Sequence, residues 1–174
     1  AIEGKYAGYI LISDKIKKDS ADTVKALKEA GIKKVVMLTG DNKATALKVK
    51  EELNLDEAYY ELLPHEKVEM LEKIKNQKRE KGNVVFVGDG INDAPVLTMA
   101  DVGIAMGGLG SDAAIEASDI VLMTDEPYKL IEGIRIAALT RKIVWQNIVF
   151  SLGVKLVVLI MGALGFANMW EAVF

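Results

Sequence analysis

The chain has 174 residues, 51% of them hydrophobic and 27% charged. That composition supplies a globular core and excludes a disordered chain. A net charge of −3 without any dense basic run argues against nucleic acid as a partner, and the absence of cysteine excludes a disulfide framework and a thiolate metal site.

The start, "AIEGKYAGYILIS", has neither the basic region nor the long apolar core of a signal peptide, and the first residue is not methionine. The chain therefore reads as a piece of something longer. Residues 6–13, "YAGYILIS", predict a strand. "SADTVKALKEAG" then places Val24, Leu27 and Ala30 at helical spacing, with Asp19 or Ser20 to cap the start and Gly31 the end. Residues 33–41, "KKVVMLTGD", form a short apolar run ending in Gly-Asp. "NKATALKVKEELN" predicts another amphipathic helix, and "EAYYEL" a short strand. "PHEKVEMLEKIKNQKREKG" predicts a longer helix, with Pro64 in its first turn and Gly82 at its end. Val68, Leu71 and Ile74 form its apolar stripe. "NVVFVGDG", a short helix from about Asn92 to Met99, "DVGIAM", "SDAAIEAS" and "DIVLM" complete the alternation. Strand following helix in this way predicts a parallel α/β sheet covered on both faces, with ligands bound beyond the carboxyl ends of the strands.

The pattern changes near residue 148. "IVFSLGVKLVVLIMGALGFANM", residues 148–169, carries one charge, Lys155, and is long enough to cross a bilayer. Trp145 and Trp170 flank it as interfacial residues. Arg135, Arg141 and Lys142 precede it and Glu171 follows, which predicts a cytoplasmic globular part. The expected divisions are 1–126, the α/β part; 127–147, a connecting helix; 148–169, the transmembrane helix; and 170–174, a tail.

Two motifs fall at strand ends: "TGDN", residues 39–42, and "GDGIND", residues 88–93. Paired carboxylates suit Mg²⁺, which takes oxygen ligands. Gly88 and Gly90 let the backbone approach a ligand closely. Thr39 and the amides after it stand near a helix start, where anions bind. Such a turn is also an ordinary helix cap, whereas "GDGIND" after four apolar residues is far more specific.

"TGDN", "LLPHEKVEML", "VVFVGDGINDAPVL" and "GIAMGGLGSDAAIEASDIVLM" together resemble the second half of the phosphorylation domain of P-type ATPases, within the haloacid dehalogenase superfamily. The resemblance implies an incomplete Rossmann-like sheet and a site that uses Mg²⁺ and ATP. It implies that Thr39 and Gly40 bind the phosphoryl group with Asp41 beside them. Lys67 would contact a phosphorylated aspartate, Asp89 would hold Mg²⁺, and Asn92 and Asp93 would support the phosphoryl site, Asp93 as a further Mg²⁺ contact. Nothing else in the sequence separates Lys67 from Lys73, Lys75 and Lys78, which read as a solvated helix face. Asp14 matches the acid that follows the strand leaving the family's nucleotide domain, or is a turn residue. His65 reads as a surface residue.

One departure matters. The family's nucleophile lies in an Asp-Lys-Thr-Gly-Thr motif that this sequence does not contain. The chain is expected to carry the receiving half of the site without the attacking carboxylate, and to leave a gap or open edge beside the "VVMLTGD" or "VVFVGDG" strand. In the heavy-metal branch, copper transporters carry Tyr-Asn where this chain has Val154-Lys155; the lysine resembles the Zn²⁺, Cd²⁺ and Pb²⁺ exporters. A lysine in a bilayer is costly and usually functional, unless it snorkels to the interface. Met161 and Met169 read as apolar filler. The expected function is thus part of an exporter in the plasma membrane, whose partners are those ions, the bilayer and the other domains of the same ATPase. The alternatives are a soluble phosphatase of the same superfamily, disfavoured by the lack of an Asp-x-Asp pair, and a non-catalytic, membrane-anchored module binding Mg²⁺ or phosphate.

Overall fold

Residues 15–77, 82–88, 91–107 and 112–165 are described by the computed structural model of the chain. The apolar runs become short strands and the amphipathic segments helices. In chain order these are α1 (Ser20–Glu29), β1 (Val36–Leu38), α2 (Lys43–Glu52), β2 (Glu57–Tyr59), α3 (Pro64–Gln77), β3 (Val85–Gly88), a 3₁₀ turn (Ile91–Asp93), α4 (Ala94–Met99), β4 (Val102–Met106), α5 (Asp112–Glu116), β5 (Ile120–Leu122) and α6 (Lys129–Ala163). The expected strand at 6–13 and Asp14 lie outside the described residues. Two compact units divide the chain, 1–129 and 130–174.

In the first unit every strand pairing is parallel. Among the described residues the strands form two sheets, β1-β2 and β3-β4-β5. Neither β1 nor β3 has a ladder partner on its other side among those residues. Among the described residues, then, both strands have an open edge; the expected strand at 6–13 lies outside them.

The core lies where α4 and α5 cover the three-stranded sheet. Leu97, Ala105 and Ala114 are almost fully buried, and Phe86, Ala117 and Val121 pack against them. Gly103 permits this closeness, because a Cβ there would stand 2.5 Å from the Leu97 carbonyl oxygen. The stripe read on α3 turns inward as expected, with Leu71 2% exposed. Gly31 ends α1 in the left-handed region at φ +94, and the Ile32 amide returns to the Leu27 carbonyl. Asp19 precedes α1 but makes no side-chain cap; its carboxylate accepts from the Tyr128 amide instead.

Three aspartates clamp the strand entries. Asp56, Asp101 and Asp119 stand just ahead of β2, β4 and β5. Their carboxylates accept from the amides of Val35, Val84 and Gly103 at 2.7, 2.8 and 2.8 Å. Their own amides donate back to the carbonyls of the same three residues. Each clamp ties two neighbouring strands at the edge opposite the functional loops, and so fixes their register.

The Val35 amide, and then the Lys28 ammonium, hold the Asp56 carboxyl below its ordinary value of 3.8. The Lys34 ammonium, followed by the Tyr59 hydroxyl, likewise lowers Glu57. A carboxyl lowered on folding stabilises the fold above its unfolded pKa and loses that contribution as pH falls through the folded value. Asp56→Asn should therefore be less stable than wild type at neutral pH, and the difference should shrink below about pH 4. Denaturant unfolding of the detergent-solubilised chain at pH 7, 4 and 2.5 reads this out. A difference that stays the same at all three values would show that the clamp does not act through charge.

The second unit is dominated by α6. It has 35 residues, and its most apolar stretch reaches a mean hydropathy of 2.0 with none of it buried. The connecting and membrane segments expected as separate pieces are one continuous helix. It stops at Ala163, where the Leu164 and Gly165 amides turn back to the Ile160 and Gly162 carbonyls and Gly165 takes φ +79. The end is six residues earlier than the hydropathy boundary at 169. A left-handed glycine closes a helix whether or not apolar residues follow.

Candidate functional site

The carboxyl ends of β1 and β3 carry the two motifs, as parallel topology requires. After β1 the ladder runs one residue further, with the Thr39 amide on the Tyr59 carbonyl at 2.9 Å. The Thr39 hydroxyl then does two things. It accepts from the Asp41 amide at 3.1 Å and donates to the Asp41 carboxylate at 2.8 Å. Asn42, in an extended conformation, caps α2 by accepting from the Thr45 amide at 3.0 Å. The turn is thus a pre-shaped nest ahead of a ten-residue helix.

A second loop braces this turn. The Glu61 amide donates to the Asp41 carbonyl, and the Leu62 amide to the Thr39 carbonyl. Glu61 adopts φ 57 to do so, a costly conformation for a residue with a Cβ. Gly40 fits closely on the other side, where a Cβ would stand 3.3 Å from the Leu62 carbonyl oxygen and force a small shift.

Lys67 reaches the end of β3 from the first turn of α3. Pro64 opens that helix, and the Glu66 carboxylate accepts from the Leu63 amide at 2.8 Å, which is half of a capping box. This fixes the first turn, and the Lys67 Nζ lies 2.8 Å from Asp93 Oδ1. The side chains are only 17% and 14% exposed. Such a pair is mostly shielded from water, so its charges act strongly on anything that enters beside it. Gly88 makes the closeness possible: a Cβ there would stand 2.9 Å from the Asp93 Cβ and 3.1 Å from its Oδ2.

Lys67 and Asp93, 26 positions apart, are therefore brought together, and Thr39, Gly40 and Asp41 form one tied turn. Asn92 is exposed in the 3₁₀ turn, and His65 is on the surface as expected. Asp89 and Gly90 lie outside the described residues, as do Lys78, Met169, Trp170 and Glu171. Lys155 and Met161 are exposed on α6. One expectation is corrected. Lys73 is solvated, but Lys75 is not a free surface group: it pairs with Asp101 at 2.9 Å and donates to the Met99 carbonyl at 2.8 Å. Spacing within α3 could not reveal this, because the partner lies 26 positions further on, in the bend between α4 and β4.

Among the described residues no cluster of three acidic, histidine or cysteine side chains is present. The donors near the end of β3 are nevertheless oxygens, the Asp93 carboxylate and the Asn92 amide. A Cβ-free residue, Gly88, cradles the first of them. That donor chemistry fits Mg²⁺.

Several known proteins are similar to this chain in sequence and fold. Over the full length of this chain, the cadmium, zinc and cobalt-transporting ATPase of Bacillus subtilis is 58% identical, and the zinc-transporting ATPase of Synechocystis sp. is 53% identical. The chain spans about a quarter of the length of each, 25% and 24%. A crystal structure of a zinc-transporting PIB-type ATPase in its E2.Pi state matches with a TM-score of 0.83 at 38% identity, covering 92% of this chain and 25% of that one. The family model for haloacid dehalogenase-like hydrolases matches residues 1–101. On that match and on a parallel sheet whose polar loops gather at its carboxyl ends, the chain belongs to the haloacid dehalogenase-like hydrolase family.

Proposed function

We propose that this chain is the phosphoryl-receiving part, with the membrane helix that follows it, of an ATPase that exports Zn²⁺, Cd²⁺ or Pb²⁺ through an aspartyl-phosphate. The observation that carries the reading is the shielded Lys67–Asp93 pair at the end of β3, in a chain whose whole length matches metal-transporting ATPases.

On this reading the attacking carboxylate comes from a strand that is not among the described residues and would lie beside β1 and β3, and it displaces ADP from the γ-phosphorus of ATP. Phosphoryl transfer depends mostly on placement and charge. The Lys67 ammonium balances the charge on the equatorial oxygens. The Thr39 hydroxyl and the amides after it, already turned toward the start of α2, donate to the same oxygens. Asp41 keeps the Thr39 hydroxyl oriented until the phosphoryl group arrives. Asp93, with Asp89, would hold the Mg²⁺ that neutralises phosphate charge, and Asn92 supports them.

In α6, residues from Ile143 to Ala163 include Lys155 as their one charge. They span about 31 Å, the thickness of a bilayer core. This moves membrane entry to Ile143, just after Arg141 and Lys142, with the first unit in the cytoplasm.

Two experiments test the reading. The 174-residue chain alone should take no acid-stable label from radioactive ATP; labelling would show that it holds its own nucleophile. Exchanged for the matching quarter of the Bacillus subtilis ATPase, the chain should support Zn²⁺- or Cd²⁺-stimulated ATP hydrolysis. A well-expressed chimera without metal-stimulated turnover would refute the assignment.

A further inference from the structure

We propose that Lys75 is a positioning residue for the phosphoryl site, acting through helix α3. The inference rests on the reading of Lys67 given under Proposed function and adds a residue at the far end of the same helix.

Helix α3 is held at three points. In its first turn Lys67 pairs with Asp93 at the carboxyl edge of the three-stranded sheet. In the middle Leu71 is 2% exposed. In its last turn the Lys75 ammonium pairs with Asp101 Oδ1 at 2.9 Å and donates to the Met99 carbonyl at 2.8 Å. Asp101 Oδ2 accepts from the Val84 amide in turn. The far pin thus joins α3 to the end of α4 and to the entries of β3 and β4. The side chains of Lys75 and Asp101 are 29% and 25% exposed, so the pair is partly shielded from solvent.

Lys67 and Lys75 are about 12 Å apart along the helix. One sits at the edge where chemistry occurs, the other at the opposite edge, with Leu71 between them as a fulcrum. A helix pinned at both ends holds the Lys67 ammonium at one place. Freed at the Lys75 end, it can tilt about Leu71 and move Lys67 relative to Asp93. Shifts of about 1 Å in a positioned group cost up to roughly 10²-fold in rate, so a small tilt suffices.

The test is orthovanadate inhibition of the full-length ATPase, since vanadate occupies the phosphoryl position. Lys75→Met should raise the half-inhibitory concentration by about tenfold with the KM for ATP unchanged. Asp101→Asn should move it the same way, and Lys75→Arg should restore most of the sensitivity. Lys67→Met is the control: wild-type vanadate sensitivity in that variant refutes the phosphoryl-site reading itself. If Lys67→Met loses sensitivity while Lys75→Met and Asp101→Asn keep it, the positioning role is overturned. A lowered melting temperature with unchanged vanadate sensitivity also overturns it, since Lys75 then only stabilises the fold. Should Lys75→Met not accumulate, Lys75→Gln decides in its place, because Asp101 also clamps Val84.

Discussion

If the proposed function holds, Lys67→Met should slow turnover of the full-length ATPase by on the order of 10²–10³-fold, the usual effect of removing one charged or hydrogen-bonding partner from a developing oxyanion. Methionine keeps most of the apolar stem, so Leu71 and the first turn of α3 should stay in place. What disappears is the ammonium 2.8 Å from Asp93. Asp93 then remains mostly shielded without its cation, and an incoming phosphoryl group meets a bare carboxylate instead of a neutralised pair. Two like charges at such a site repel strongly. Lys67→Arg should recover only part of the rate, because a planar guanidinium does not reproduce a compact ammonium. Asp93→Asn is the complementary change: it leaves the Lys67 ammonium without its carboxylate and, on the proposed reading, should weaken Mg²⁺ binding. Formation and decay of the phosphoenzyme, from ATP and from inorganic phosphate, separate the two effects. Wild-type kinetics in Lys67→Met would remove this residue from the chemistry.

How much of this was readable beforehand follows from the range of each interaction. The α3 stripe of Val68, Leu71 and Ile74 was legible, since it depends only on spacing within one helix. The turn at Gly31 and the local hydrogen bonding of "TGDN" ahead of α2 were legible for the same reason. Lys67 was distinguishable from Lys73 and Lys75 only through resemblance to a family, because its partner is 26 positions away. Lys75 was misread as solvated for that same reason. The three strand clamps were missed altogether. Their local signal, an aspartate directly ahead of an apolar run in "LDEAY", "ADVGI" and "SDIVL", resembles any turn, and the amide that completes each clamp comes from another strand. The helix boundary at Ala163 was missed because hydropathy marks where apolar residues stop, whereas backbone geometry at Gly165 marks where the helix stops.

The earlier end of α6 also changes what is expected of Lys155. Replacing it with methionine should lower Zn²⁺-stimulated turnover, or loosen the coupling of hydrolysis to release, by roughly tenfold, within the usual range of coupling between sites. The cytoplasmic phosphoryl site should be unaffected. With α6 closed at Ala163, Lys155 lies about 12 Å from the helix end and about 18 Å from Ile143. A four-carbon stem covers only part of either distance, so the ammonium cannot reach an interface fully by snorkelling. An unbalanced charge at that depth is costly. On the proposed reading, the ammonium would pair with a carboxylate or face a polar cavity elsewhere in the full-length ATPase. There it can repel a divalent cation from an acidic site, or take over the site's negative charge as the cation departs. Because charge is the active property, Lys155→Arg should keep more transport than Lys155→Met. It should not keep all of it, since a guanidinium fills the space differently. The measurements are metal-stimulated ATPase activity and Zn²⁺ uptake into inverted vesicles at matched expression. Zn²⁺ transport by Lys155→Met at the wild-type rate would reduce the residue to an apolar stem with a solvated tip, and would take away the main argument for Zn²⁺ over copper.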